Sequence, residues 1–355
     1  MAPIPATFPY ALRREAVVMS PTPGDPLEVE GVLNPGSGRG PDGALYLLPR
    51  LVAAGNVSRV GLARLVVTEG VPTGVERLGV VLEPDRSWER ADDHAGTEDP
   101  RVTRIEVLGV HVMTYVAYGP LGPRTALAVS RDLRSWERLG PVHYAYDDDL
   151  GHDLNLRQNK DTVFFADPVV APDGRLSLAV LHRPMGLLGA IRPGADQEPL
   201  RETDSRESIW IGFVDLAAAQ EDVRALTRWD QNRFVAGPEF GYEALKIGGG
   251  PPPVRVPEGW LILHHGVTGR LDPGVAQQQG VRYAAGGMIL DAQQPWRVID
   301  RSAAPLLEPE TSDEVDGIVP NVIFPTAVEA IDGQFFVFYG MADTSIGVAR
   351  IVRVE

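Results

Sequence analysis

The sequence predicts an all-β chain built from repeated units, and three observations carry that reading. Glycine and proline are frequent, 38 and 31 of 355 residues, about one residue in five against roughly 12 % in average usage. They are scattered along the chain, so they punctuate many short elements and leave little room for long helices. Between them lie runs rich in Val, Ile, Leu, Tyr and Phe at residues 44–48, 110–117, 176–181, 260–263 and 335–339, each of strand length. Four of these runs follow a tight-turn dipeptide, Asp42-Gly43, Asp173-Gly174, Glu258-Gly259 or Asp332-Gly333, the hairpin signal expected before an antiparallel strand.

The elements recur in order. Second strands carrying small apolar residues follow at 60–65, 125–130, 209–214, 285–290 and 345–351, and the stretch 105–118 supplies paired strands without the Asp-Gly turn. This makes five units of similar design at an irregular spacing of about 60–85 residues. Trp88, Trp136 and Trp296 each follow such a strand, where a large aromatic packs neighbouring units. Antiparallel units of this kind close as a five-bladed β-propeller with a central active-site funnel, which hides the sheet edges. A β-sandwich followed by a second β domain is the alternative. Residues 345–354 are expected to close the ring by pairing with the first unit, and 214–225 is the one helical candidate, equally readable as a loop with one turn. No linker divides the chain. Residues 31–355 read as a single catalytic domain and 1–30 as an N-terminal extension packed on it.

Composition excludes whole classes of function. Lys and Arg total 33 against 48 Asp and Glu, a formal net charge of −15, so no basic surplus exists to bind nucleic acid or an anionic membrane. With no cysteine there is no disulfide, no thiolate metal site and no Cys nucleophile. The first 35 residues never run seven apolar residues together, and no stretch approaches the roughly 18–20 of a membrane span. A cytoplasmic protein is the expectation. There is no P-loop, since Gly248-Gly249-Gly250 runs into Pro251, and no Gly-x-Ser-x-Gly elbow. The seven histidines form no ligand pair at metal-binding spacing, and His264 and His265 point to opposite faces of a strand, so no metal is expected.

Polar residues stand where strands meet loops. Glu98-Asp99-Pro100-Arg101 sets two carboxylates and a guanidinium around a proline that fixes the backbone. Asn159-Lys160-Asp161 runs into the apolar 162–165, Lys246 precedes the Gly/Pro stretch, and His265 ends a strand. Arg50 and Asp343 follow apolar runs as well. Taken singly, each reads as a surface ion pair or turn residue. Several of them at strand ends in different units point to one axis, where a propeller assembles a site.

Ten ordered segments make that pattern specific: Asn34-Pro35; Gly40-Pro41-Asp42-Gly43 with Pro49-Arg50; Ser58-Arg59-Val60-Gly61-Leu62-Ala63; Glu98-Asp99-Pro100-Arg101; Asn159-Lys160-Asp161; Leu181-His182-Arg183-Pro184; Lys246-Ile247-Gly248-Gly249-Gly250-Pro251-Pro252; His265-Gly266-Val267; Val319-Pro320-Asn321-Val322; and Tyr339-Gly340 with Ala342-Asp343-Thr344. Together they resemble glycoside hydrolase family 130 over nearly the whole chain. The resemblance implies a five-bladed propeller that cleaves β-mannosidic bonds with inversion, by phosphorolysis in some members and hydrolysis in others.

Carried over residue by residue, it implies Asp99 as the acid, relaying its proton through a sugar hydroxyl in the phosphorylases. Asn34, Arg50 and Asp343 match positions that hydrogen-bond the mannosyl unit, with Glu98 and Arg101 beside them as further substrate-binding positions. Lys160 and His265 match phosphate-gripping positions, and both of their charges are expected to be in place. A third basic ligand is disputed between Arg124, Arg157 and Arg183, and His264 stands where the family often has Tyr. For a hydrolase the base would be Glu243, Asp167 or Glu98. Three readings stay open: phosphorolysis to α-mannose 1-phosphate, which is favoured; hydrolysis; and a non-catalytic glycan-binding propeller. Inorganic phosphate is the expected co-substrate, with no other cofactor, and a manno-oligosaccharide the expected partner. The linkage, the leaving sugar and a homo-oligomeric state are left open, and 184–208 reads as a loop-like insertion.

Overall fold

The computed structural model describes residues 8–92, 94–151, 153–187, 206–272, 275 and 277–354. Antiparallel meanders dominate. The first runs through Gly31–Arg39, Leu45–Ala53, Val57–Thr68 and Val71–Leu82. The second comprises Ala95–Ile105, Val110–Gly119, Gly122–Ser130 and Glu137–Pro141. Only two parallel pairs, Val57 with Ala95 and Ser58 with Gly96, join these two into one eight-stranded sheet. Arg157–Phe164, Leu176–Leu187, Ile209–Asp215 and Arg228–Ala236 form the next meander, and Lys246–Gly249, Gly259–Gly269, Val281–Leu290 and Val298–Arg301 another. All four Asp-Gly and Glu-Gly dipeptides sit in the hairpin turns where the sequence places them.

The last sheet is made from both chain ends. Ile323–Ile331, Gln334–Met341 and Ser345–Arg353 run in series, and Tyr10–Met19 adds antiparallel to Ser345–Arg353, from Tyr10 opposite Arg353 to Met19 opposite Ile346. The expected pairing of 345–354 with the first unit is therefore corrected. The closing partner precedes that unit, within the stretch 1–30 set apart as an extension, of which residues 1–7 lie outside the described residues. An unpaired edge strand exposes its backbone polar groups, and Tyr10, Leu12, Val18 and Met19 bury their side chains as the edge is covered.

The apolar cores lie between consecutive meanders. Val60, Val102 and Met113 join the first to the second, Val112, Phe164 and Val180 the second to the third, and Ile211, Trp260 and Met288 the third to the fourth. Ile289, Ile323 and Val337 continue to the last sheet, which returns to the first through Val32, Leu47 and Phe338. Trp136 and Trp296 occupy equivalent places between third and fourth strands, whereas Trp88 lies in the turn Ser87–Glu89 after a fourth strand. The three indoles are thus not one repeated position. The helical candidate is a short helix, Leu216–Glu221, its first turn capped by the Asp215 carboxylate accepting from the Ala218 amide. A second helical turn, Ser312–Val315, is not signalled by periodicity because it is only four residues long. Residues 188–205 of the expected insertion lie outside the described residues. Among the described residues no helix is long and apolar enough to cross a membrane.

Candidate active site

A cavity of about 350 Å³ gathers residues from every meander and from the last sheet. Asn34, Arg50, Glu98, Asp99, Lys160, His265 and Asp343 all line it. Three of the strands that approach it carry the same local irregularity. Register shifts interrupt pairing between Leu33 and Gly36, between Glu98 and Arg101, and between Lys160 and Val163. In each shift sits a short polar residue with positive φ: Asn34 at 45°, Asp99 at 47° and Asp161 at 54°. A bulge adds a residue and re-aims side chains, so consecutive residues can face the same way. That is how the neighbours Glu98 and Asp99, and Lys160 and Asp161, all reach one cavity although strand alternation would separate them. Asp343 lies in a hairpin turn, also at positive φ.

One half of the site is a carboxylate cluster threaded by Arg50. Its Nη1 donates to Oδ1 of Asp99 at 3.1 Å, its Nη2 to Oε1 of Glu98 at 2.9 Å, and its Nε to Oγ of Ser58 at 2.8 Å. Asn34 Nδ2 donates to the same Asp99 oxygen at 2.8 Å, and Lys160 Nζ to Oε2 of Glu98 at 3.1 Å. Lys160 thus pairs with Glu98 and not with its sequence neighbours. A side chain at Gly340 would strike the Asn34 amide, so only glycine leaves that amide its place. Burial by itself favours the neutral acid form of Asp99, but Arg50, Lys160 and the Asn34 hydrogen bond outweigh it and hold its pKa below the ordinary value. Asp343 goes the other way. Burial, with Asp99 and Glu98 nearby, pushes it up to about 6 against the pull of Arg50 and Lys160.

The other half is cationic. Arg183 and Lys246 line the cavity beside Lys160 and His265. Arg183 Nε donates to Oδ2 of Asp161 at 2.5 Å, and Lys246 Nζ lies 3.8 Å from Glu207 Oε2. Burial lowers the Lys246 pKa, and the neighbouring Arg183 and Lys160 lower it further. His265 is completely buried. Burial and the surrounding Arg183, Arg101 and Lys246 depress its pKa well below the ordinary value despite Asp161, so the expected charge on His265 is absent at neutral pH. Of the three arginines that compete for the third basic place, Arg183 is the one that lines the cavity. Arg124 instead donates to the main-chain oxygens of Arg157 and Asn155, and neither Arg124 nor Arg157 lines the cavity.

Three further expectations are corrected. Arg101 does not line the cavity: it lies behind Asp161 and Phe324, donating to the carbonyls of Gly249, at 3.0 Å, and Gly250. Its Nη1 is taken up by these two backbone carbonyls. Glu243 is also off the cavity, fully buried and engaged by His264 Nε2 and Arg301 Nη2 at 2.8 Å each and by the amides of Glu239 and Phe240. Burial opposes its charge, but these partners prevail and take its pKa down to about 2. Asp167 is exposed in a turn away from the cavity. Lys246, which the sequence marks only as a polar residue before the Gly/Pro stretch, also lines the cavity; the three glycines after it let the strand come close. No group of three or more acidic or His residues suited to a metal ion occurs among the described residues.

Comparison with known proteins agrees with this assembly. The family model described as β-1,4-mannooligosaccharide phosphorylase matches residues 216–355. The chain is 30 % identical over 271 residues to a 1,2-β-oligomannan phosphorylase of Thermoanaerobacter sp. (strain X514), covering 75 % of this chain and 72 % of that one. A β-1,4-mannooligosaccharide phosphorylase of Ruminococcus albus is 40 % identical over 123 residues, 34 % of this chain and 35 % of that one. Among solved structures, β-1,2-mannobiose phosphorylase from Listeria innocua, in complex with β-1,2-mannobiose, superposes with a TM-score of 0.69 at 21 % identity, covering 96 % of each chain. The motifs, the propeller-like all-β fold and these relatives converge: the chain belongs to glycoside hydrolase family 130.

Proposed function

We propose that this protein cleaves β-mannosides by inverting phosphorolysis, releasing α-mannose 1-phosphate. One observation carries the choice of phosphate over water. Lys160, Arg183, Lys246 and His265 line the same cavity as Asp99, whereas the carboxylates that could serve a hydrolase as base are tied up or elsewhere. Glu98 is held by Arg50 and Lys160, Glu243 is saturated by four donors, and Asp167 faces solvent. A phosphate nucleophile needs cationic donors and no base.

In this reading Asn34, Arg50 and Asp343 orient the mannosyl unit and Asp99 is the acid. A phosphate oxygen bonds to the anomeric carbon from the α face as the β-glycosidic bond breaks. The leaving oxygen takes a proton from Asp99, directly or through a sugar hydroxyl, and the phosphate's own proton restores the acid. Bound phosphate draws on the Lys160 charge, and sugar displaces water; both raise the Asp99 pKa from its depressed ligand-free value. The fold is read here as five blades around one axis, in a single domain that includes residues 10–19. The succession of apolar cores from the first meander round to the last sheet and back supports this.

Incubation with β-1,2- and β-1,4-mannobiose, with and without phosphate, tests the reaction. α-Mannose 1-phosphate is expected only when phosphate is present. Mannose released at an equal rate without phosphate identifies a mannosidase, and sugar binding without turnover identifies a glycan-binding propeller.

A further inference from the structure

We propose that Asp161 is a positioning residue of the phosphate subsite: its buried carboxylate holds Arg183 and His265 in place, with Arg101 bracing it from behind. The inference rests on the phosphorolytic reading. Asp161 Oδ2 accepts from Arg183 Nε at 2.5 Å and lies 3.4 Å from His265 Nε2, while Oδ1 lies 3.6 Å from Arg101 Nη2. The four residues come from strands Ala95–Ile105, Arg157–Phe164, Leu176–Leu187 and Gly259–Gly269. Their side chains are almost wholly buried, Asp161 and Arg101 at 1 % exposure.

Physical chemistry demands such an anchor here. Arginine cannot shed its proton, so Arg101 and Arg183, brought together out of water, repel one another unless a carboxylate stands between them. The bulge at Asp161 delivers that carboxylate to the same side of the strand as Lys160. Gly248 leaves room for it. A Cβ at 248 would collide with Asp161 Oδ2 and approach the His265 ring to 2.5 Å. His265 Nε2 lies 3.4 Å from Asp161 Oδ2, beyond a formed hydrogen bond, and neither ring nitrogen of the neutral imidazole has a protein partner. One nitrogen of a neutral imidazole is an acceptor, and an unpartnered one suits the P–OH group of hydrogen phosphate. Asp161 therefore acts through its neighbours: it sets the angle of one guanidinium by a hydrogen bond and faces the imidazole with its negative charge.

The test compares the wild-type protein with Asp161→Asn and Gly248→Ala. Gly248→Ala retains every charge and displaces Asp161 Oδ2, disturbing its contacts with Arg183 and His265. Loss of oriented, charge-assisted contacts should raise KM for phosphate by about 30-fold or more in Asp161→Asn, with KM for the disaccharide changed less than about 3-fold. Thermal unfolding with and without phosphate reads the same effect independently of turnover, as loss of the phosphate-induced rise in Tm. Gly248→Ala should show the same split, and it carries the test alone if Asp161→Asn does not fold. A phosphate-dependent wild type whose two KM values stay unchanged, or rise together, in the folded variants overturns the positioning role alone. Wild-type turnover indifferent to phosphate overturns the phosphorolytic reading and this inference with it.

Discussion

Asn34 and Asp99 lie 65 residues apart in the chain, yet the Asn34 amide donates to Oδ1 of Asp99 at 2.8 Å, and each residue occupies a positive-φ bulge in the first strand of its own meander. Such backbone conformations cost of order 1–3 kcal/mol each and persist only where surrounding structure imposes them. Their coincidence at one cavity joins a repeated structural device to a single chemical task. The geometry leads to five expectations.

Replacing Asp99 with Asn preserves shape and removes the proton. kcat on an unactivated disaccharide should fall by at least about 10²-fold, the scale of general acid catalysis. Glu98→Gln is the control. Turnover of Asp99→Asn close to that of the wild type would take the acid role away from Asp99.

Lys246→Ala removes one cation from the cationic half of the cavity, the proposed phosphate subsite, without touching the carboxylate cluster. KM for phosphate should rise about tenfold or more, given that hydrogen bonds to charged groups contribute about 1.5–3 kcal/mol. KM for the disaccharide should scarcely move. Equal changes in both constants would place Lys246 outside the phosphate subsite.

Glu243→Gln separates a structural carboxylate from a hydrolytic base. Phosphorolysis should continue within about threefold of wild type, while stability falls by about 3 kcal/mol because Arg301 loses a buried counter-charge. A collapse in kcat with Tm unchanged would restore Glu243 as a base.

Asp343 contributes a pH dependence with a definite sign. Its pKa is raised in the fold to about 6, so folding favours the protonated form, and the associated stability is present at low pH and lost as pH rises through about 6. Asp343→Asn should therefore unfold at higher temperature than wild type at pH 8, by about 2 kcal/mol in stability. Near pH 4 the advantage should vanish. Calorimetry across that range decides, and an advantage independent of pH would mean that Asp343 is not the titrating group.

Deleting residues 1–19 removes the strand paired to Ser345–Arg353 and uncovers the apolar faces of Ile351 and Val337. The intact protein should melt in one calorimetric transition and the truncated one at markedly lower temperature. Two independent transitions in the intact chain would contradict a single domain.

Much of this protein is written in local signals. The Asp-Gly and Glu-Gly turns and the alternating apolar runs are short-range features, so the strands fall where the sequence places them. The family motifs are covalently contiguous, which is why Asn34, Arg50, Asp99, Lys160, His265 and Asp343 could be picked out and are found lining one cavity. The bulges were legible in retrospect, as a short polar residue before a proline or threonine in mid-strand at 34, 99 and 161. What the tertiary structure decided depends on partners far away in the chain and on exclusion of water. Nothing near Arg183 in sequence separates it from Arg124 or Arg157; only packing turns it toward Asp161 in the cavity. Arg101 looks like a ligand beside Asp99 until the carbonyls of Gly249 and Gly250 are found across the fold to receive it. The charge of His265 and the acidity of Asp343 are set by burial and by neighbouring charges, and closure by Tyr10–Met19 requires chain ends more than 300 residues apart to meet. Electrostatics in a low-dielectric interior is a property of the assembled neighbourhood, and no stretch of sequence contains that neighbourhood.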